Sequence, residues 1–254
     1  MPLEFHPLRP SDTLSWIRVR AKAYYGPTHD LLHNGPVSEE SIRGVAEDRK
    51  REIGGPNIWH WKIVDTDLPL GEDDPEDNGG RTIAAAVWKM MNVDSETVHR
   101  DTLRKSEAEA PTEHASVPVE VALQEDHPLG PRYSAFHPPE LRLDALASIF
   151  DPMDEARDEI MGTEKPFFML NSLATDPDHQ SRGAGALLLD WGVKKADSEG
   201  LITYLDATQV AKPIYEKRGF KVIRAIDWDR TKWGGEGVDV HYSMVRMPRD
   251  GQKS

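Results

Sequence analysis

Residues 170–190 read Leu-Asn-Ser-Leu-Ala-Thr-Asp-Pro-Asp-His-Gln-Ser-Arg-Gly-Ala-Gly-Ala-Leu-Leu-Leu-Asp. An extended run from Phe167 to Thr175 stops at a polar turn, Asp176–His179, and a helical run begins at Arg182–Gly183. Gly183 and Gly185 carry no Cβ, so the backbone there can approach a ligand closely. The first amides of the new helix lack intrahelical partners, and the helix dipole makes that end positive. A strand, a glycine-containing turn and a helix start together form an anion site suited to a phosphate. From these residues alone a phosphate site and a plain packing role for the glycines both stay open. Two better-known phosphate patterns are not met. Neither glycine is followed by Lys, and Leu188 stands where a dinucleotide fingerprint needs its third glycine.

The next stretch narrows the choice. Leu201 to Asp206 reads as a second short strand. Thr208 to Arg218 reads as a short helix with Thr208 as its N-cap. Gly219 ends that helix and Phe220 opens another strand. In this order, Gln180-Ser181-Arg182-Gly183-Ala184-Gly185 is similar to the Gln/Arg-x-x-Gly-x-Gly/Ala motif of the GNAT superfamily of acyl-CoA N-acyltransferases. Tyr215-Glu-Lys-Arg-Gly-Phe220 is similar to that family's closing Tyr-Glu-Lys-x-Gly-Phe motif. Leu8-Arg-Pro-Ser-Asp12 resembles its first strand and the turn into its first helix. The close resemblance covers residues 166–224 and a weaker one covers 3–92. It implies a mixed α/β fold, the GNAT fold. In that fold a mostly antiparallel mixed sheet with splayed central strands is flanked by helices on both faces.

Composition bounds the rest. The chain has 254 residues, enough for one large core, and is read as a single domain. No apolar run approaches the ~20 residues that span a bilayer, so no membrane partner is expected. The start, Met-Pro-Leu-Glu-Phe-His, has no basic or apolar leader segment, and a cytoplasmic location is expected. The absence of cysteine excludes disulfides, thiolate metal sites and a cysteine nucleophile. A net charge of −13 argues against nucleic acid and is compatible with cationic amines, though solubility alone accounts for it. Seven carboxylates fall between Asp65 and Asp77, read as a solvated, mobile loop.

Elsewhere, Asp12 to Tyr25 reads as a helix capped by Ser11 or Asp12, with Leu14, Ile17, Ala21 and Tyr24 on one face. Ser38 to Arg51 reads as a helix opened by Ser38. Ile58–Val64, Thr82–Met91 and Val238–Met247 alternate as strands, and Asn78-Gly79-Gly80 is a turn. Residues 93–137 read as an irregular insertion over the substrate cleft, helical near 96–110. Leu141 to Ile160 reads as a helix broken near Asp151-Pro152. His29 and His33 are four apart, but the flanking Gly and Pro argue against a metal site, and no metal is expected.

The resemblance implies direct attack of a primary amine, on a small molecule or a peptide, upon the thioester of acetyl-CoA as cosubstrate. The pantetheine arm would pair with the splayed strand at Leu173, Ala174 and Thr175, as an added strand does. A freed N–H near Leu173 or Ala174 would meet the tetrahedral oxyanion. The pyrophosphate would lie on the amides of Arg182 to Ala186, beside Gln180 and Ser181. The Arg182 side chain either reaches a phosphate or is solvated. Tyr215 is the implied proton donor to the departing thiolate, with a core tyrosine as the alternative. Asn171 would orient the amine or a water. The family often places Asn where this chain has Thr208, while Ala211 matches the Ala that follows. The general base is not visible. A non-catalytic acyl-CoA-binding module, or an enzyme using another acceptor or a longer acyl group, also fits. The oligomeric state is not legible.

Overall fold

A computed structural model describes residues 3–93 and 136–249. Seven strands form one sheet: β1 (Leu3–Pro7), β2 (Ile58–Asp65), β3 (Arg81–Met91), β4 (Phe167–Thr175), β5 (Thr203–Thr208), β6 (Lys221–Asp229) and β7 (Val238–Arg246). Their order is β1-β2-β3-β4-β5-β7-β6. All neighbours run antiparallel except β4 and β5. The helices are α1 (Thr13–Tyr24), α2 (Pro27–Leu31), α3 (Glu39–Arg49), α4 (Leu143–Met161), α5 (Ala184–Glu199) and α6 (Lys212–Glu216). The insertion expected at 93–137, with its helix near 96–110, lies almost wholly outside the described residues.

The middle of β3 reads Ile83-Ala-Ala-Ala-Val-Trp88 and is buried throughout. Such a run suits a central strand covered on both faces. On one face Ala84, Ala86 and Trp88 join Phe168, Leu188, Leu189 and Leu205, so α5 closes that side. On the other, Ala85 and Val87 meet Trp16, Ile17, Ile42 and Ala46 of α1 and α3. Farther along this second face, α4 buries Ile149 and Met153 against Trp228 of β6. Each such large side chain contributes roughly 1.5–3 kcal/mol.

Several local expectations change. The buried stripe of α1 is Thr13, Ser15, Trp16, Ile17 and Val19, not Leu14, Ala21 and Tyr24. Thr13 and Ser15 can be buried because their hydroxyls donate to Pro10 and Asp12 carbonyls, each at 3.0 Å. The helix at 143–161 runs through Pro152 without a break. The missing Pro152 N–H falls opposite Ser148, whose hydroxyl binds Ala145 O at 2.7 Å and accepts from Trp228 Nε1 at 2.8 Å. The acidic stretch is only partly solvated: Asp67, Glu72, Glu76 and Asp77 are exposed, but the others are held by the fold. Asp65 is wholly buried, Asp73 pairs with Arg18 at 2.6 Å, and Asp77 pairs with Arg9 at 2.6 Å. Asp74 accepts from the amides of Gly71 and Thr82. Charge density misread Asp65, Asp73 and Asp77 because each pairs with an arginine far away in sequence, Arg182, Arg18 and Arg9.

Candidate active site

The parallel contact between β4 and β5 consists of two pairs, Phe168 with Thr203 and Met169 with Tyr204. Beyond them the strands part, leaving Leu170–Thr175 and Leu205–Thr208 without mutual bonds. Against β3 the register jumps: Val87 faces Ser172 but Trp88 faces Leu170. Asn171 is therefore the extra residue of a β-bulge, and it is exposed. Past the bulge the backbone direction is set by Asp176, whose N–H donates to Ile83 O at 2.8 Å. Directions alternate along an antiparallel pair, so Ala174 turns its N–H and C=O to β3. Leu173 and Thr175 turn theirs toward the gap. Of the two amides considered from sequence, the geometry favours Leu173.

At the open end of the gap the chain turns into α5. Asp176 accepts from the Asp178 amide at 3.1 Å and from Lys22 Nζ at 3.0 Å, which fixes the turn. Ser181 and Gly183 both have positive φ, 61° and 90°. Gly183 caps α5, and the first helical bond runs from Leu187 N–H to Gly183 O at 3.0 Å. The amides of Ala184, Gly185 and Ala186 precede that bond and have no intrahelical acceptor. A Cβ at Gly185 would lie 3.3 Å from Thr175 Oγ1, so the helix start sits against the end of β4. The Arg182 side chain is engaged within the protein. It forms an ion pair with buried Asp65 and approaches His179 Nδ1 at 3.4 Å. Its charge anchors the turn to β2.

Tyr215 is buried at the end of α6, edge-on to Phe220 with ring centroids 5.9 Å apart. Burial pushes its hydroxyl well above the ordinary phenol range, Tyr24 raises it further, and Arg218 opposes. Tyr215 belongs to the α5 side of the sheet, whereas Tyr24 closes α1 on the other side. Tyr24 also meets Ser172 of β4, Oη to Oγ 3.0 Å. Thr208 is not the N-cap of α6. It ends β5, and its carbonyl and hydroxyl both accept from the Ala211 amide, at 3.1 and 3.3 Å. Ala211 holds the N-cap position.

Two groups escaped the sequence reading. Met244 and Tyr242 of β7 pack with the α5 core, so His241 and Ser243 face the opposite side. His241 pairs with Thr208 across the strands. Burial lowers its pKa below the ordinary imidazole value and Asp239 counters in part, which favours the neutral form. Next to it, Asp206 accepts from the Tyr204 hydroxyl at 2.8 Å and from Ser243 at 2.9 Å. The alternation of Val238 to Met244 was visible. Which histidine of ten adjoins the gap was not, because that depends on the pairing of β5 with β7.

A charged cleft of about 550 Å³ lies nearby between α1 and the 71–74 loop, lined by Arg18, Lys22, Asp73 and Asp176 among others. It flanks the turn and includes neither Tyr215 nor Asn171. Among the described residues no group of three His, Asp or Glu side chains is arranged to hold a metal. His29 and His33 stack on each other at 4.1 Å.

Residues 153–222 match the sequence model of the acetyltransferase (GNAT) domain. No curated protein sequence matches the chain. Solved structures share the whole architecture. Arylalkylamine N-acetyltransferase 2 of Aedes aegypti has a TM-score of 0.55 at 12% identity, covering 98% of this chain and 100% of its own. An acetyltransferase of Corynebacterium glutamicum, described as histone acetyltransferase HPA2 and related acetyltransferase, has a TM-score of 0.53 at 16% identity, covering 99% of both chains. The polyamine N-acetyltransferase of Drosophila melanogaster has 0.52 at 12%, covering 96% and 99%. At such identities the likeness is one of fold: residues 153–222, a segment that spans both motifs, match the GNAT domain model, and the chain has the fold of the GNAT acetyltransferases.

Proposed function

We propose that the protein is an N-acetyltransferase that moves the acetyl group of acetyl-CoA to a primary amine by direct attack in a ternary complex. One observation carries this reading. β4 and β5 part after Met169 and Tyr204, and the unbonded helix start at Ala184–Ala186 stands at the mouth of the gap. In this reading the pyrophosphate takes the amides of α5. The pantetheine pairs with the Leu173 and Thr175 edge as an added strand. Attack on the thioester carbonyl makes an oxyanion, which accepts a hydrogen bond from the Leu173 N–H. The acceptor arrives as an ammonium and must lose a proton first. His241, kept neutral by burial, takes it. Asn171, exposed at the bulge, orients the nitrogen or a water. Collapse breaks the C–S bond, Tyr215 gives its phenolic proton to the thiolate, and the second proton on the former amine nitrogen is returned through water to the tyrosinate, leaving a neutral amide and free CoA. The neighbours act on arylalkylamines and polyamines by their names, which agrees with an amine acceptor of small size.

Calorimetry with acetyl-CoA on metal-stripped protein, followed by thiol release across a panel of amines, tests the proposal. Binding with release of free CoA is expected. Failure to bind at millimolar ligand overturns it. Binding without release from any amine leaves a non-catalytic acyl-CoA module.

A further inference from the structure

Acyl-CoA lying between β4 and β5 leaves an acceptor only the two faces of the sheet. On one face α5 and its core fill the space. On the other, the chain joining α1 to α2 crosses the gap. Ser172 of β4 stands opposite Val87, whose side chain meets α1 and α3, so Ser172 faces this side. Tyr24 Oη lies 3.0 Å from Ser172 Oγ, which ties the end of α1 to β4. Asp239 of β7 is two residues before His241 and shares its face. Its carboxylate accepts a hydrogen bond from the Thr28 hydroxyl, which ties the start of α2 to β7. β5 lies between β4 and β7 in the sheet, so residues 24–28 pass over the parted strands. Four residue steps reach at most ~14 Å, against ~10 Å for two strand spacings, so the segment crosses with little slack.

The flanks of this segment are seated and its middle is bare. Trp16 and Ile17 bury α1, while Leu31 and Leu32, at the end of α2, pack beside Met153 and Trp228. Between them Tyr25 is 73% exposed, and a Cβ at Gly26 would meet nothing within 4 Å. The middle has no core of its own to lean on, so the two side-chain bonds at Tyr24 and Thr28 decide where it lies. Tyr24 also comes close enough to Tyr215, on the α5 side, to raise its pKa. The first residue of the crossing therefore stands beside the proposed proton donor.

We propose, on the basis of the acetyl-transfer reading, that residues 24–28 form a strap over the acceptor side of the gap, and that the acceptor is a small molecule inserting an unbranched CH2–NH2 end between the Tyr24 and Thr28 fastenings. A peptide N-terminus carries a side chain and a carbonyl on the carbon next to nitrogen, and that branch meets the strap. A straight-chain amine presents a single CH2 there and passes. The Tyr24–Ser172 contact also closes the β4 side, so no open groove runs across the face for a polypeptide to lie in. Tyr24 and Thr28 act on selectivity by holding the strap, and the reacting atoms do not depend on either hydroxyl.

The test is thiol release from acetyl-CoA with three acceptors: n-butylamine, its branched isomer sec-butylamine, and a tetrapeptide with a free N-terminal alanine. Wild type is compared with Tyr24→Phe, Thr28→Val and the double variant, each shown to be folded by its urea melt. Wild type should favour n-butylamine over both others by about 10-fold or more in kcat/KM. Two hydrogen bonds of ordinary strength hold the strap, so the double variant should narrow that preference by about 5-fold or more, and each single variant by less. Equal or better use of sec-butylamine or the peptide by wild type overturns the proposal, as does a preference unchanged in the double variant. If acetyl-CoA binds but no acceptor reacts, the acetyl-transfer reading fails separately. The strap is then read by hydrogen exchange at the Tyr25 and Asp30 amides, which donate to Lys22 O at 3.4 Å and Gly26 O at 3.0 Å. Exchange about 5-fold faster in the double variant supports the fastenings, and unchanged exchange overturns them.

Discussion

In the proposed mechanism Tyr215 gives a proton and His241 takes one, and burial favours the protonation state from which each role starts while making Tyr215 the weaker acid and His241 the weaker base. A buried phenol stays protonated throughout the physiological range, and a buried imidazole stays neutral. An ordinary phenol lies about 1.5 units above a thiol, roughly 2 kcal/mol uphill for donation. Burial widens that gap for Tyr215 alone, but a thiolate expelled into the same gap is desolvated too and holds a proton more tightly. Tyr215→Phe keeps the ring against Phe220. It should slow single-turnover acetyl transfer by about 10²–10⁴ while acetyl-CoA affinity by calorimetry stays near wild type. Equal rates would make Tyr215 a packing residue. For His241 the neutral form is the active one, and its pKa is lowered, so the acid limb of kcat/KM should fall below the usual 6.5 or so. His241→Gln should cut kcat/KM and remove that limb. A limb that persists unchanged in the variant would move the base elsewhere.

Among the elements, α5 decides whether the helix start meets β4 correctly. A Cβ at Gly192 would sit 2.1 Å from the Trp88 indole, so the helix lies on β3 closer than any side chain would allow. Trp88 also donates to Leu188 O at 3.3 Å. Gly192→Ala should force Trp88 or α5 aside and cost about 1–3 kcal/mol in urea unfolding. A stability equal to wild type would mean the helix shifts freely. Gly185→Val tests the other end, where the added methyls crowd Thr175 and the exposed amides. A folded variant with unchanged acetyl-CoA affinity would put the anion site elsewhere. This is also the scale at which sequence was most informative. Phe167–Thr175 is β4 as read, and Ser38 caps α3 through the Ser41 amide as read. Glycines, caps and alternation are local signals, so these positions were legible. Arg182 was not, since its partner Asp65 is 117 positions earlier and a single chain does not announce such pairs. The bulge at Asn171 and the position of His241 depend in the same way on which strands become neighbours.

Over the whole molecule, the acidic groups act as fasteners more than as a field. Asp12, wholly buried, holds the Arg9 amide at 2.7 Å and pairs with buried Lys62 at 2.9 Å, which ties the start of α1 to β2. Asp197 of α5 grips Arg246 of β7 at 2.6 Å and accepts from the Arg249 amide at 2.8 Å. Burial works to raise the Asp12 pKa, but hydrogen bonds from Arg9 and Lys62 outweigh it and hold it below the ordinary carboxylate value. The Arg246 hydrogen bond lowers Asp197. A carboxylate with a lowered folded pKa contributes stability above its unfolded pKa of about 3.9, and that contribution is lost as pH falls through the folded value. His29 and His241, lowered chiefly by burial, act in the same direction earlier, because the unfolded chain takes up their protons first below about 6.5. Unfolding free energy should therefore be level above neutrality, decline gently from about pH 6.5, and drop steeply below about 4. Asp12→Asn leaves Lys62 buried beside a neutral amide, a change that typically costs about 3–5 kcal/mol when one member of a buried pair is removed. The variant should be less stable at pH 7 and lose less on acidification, so the two curves converge at low pH. Urea melts from pH 8 to pH 3 measure this directly. Parallel curves would show that Asp12 has the same proton affinity folded and unfolded, and that the acid lability arises from the other carboxylates.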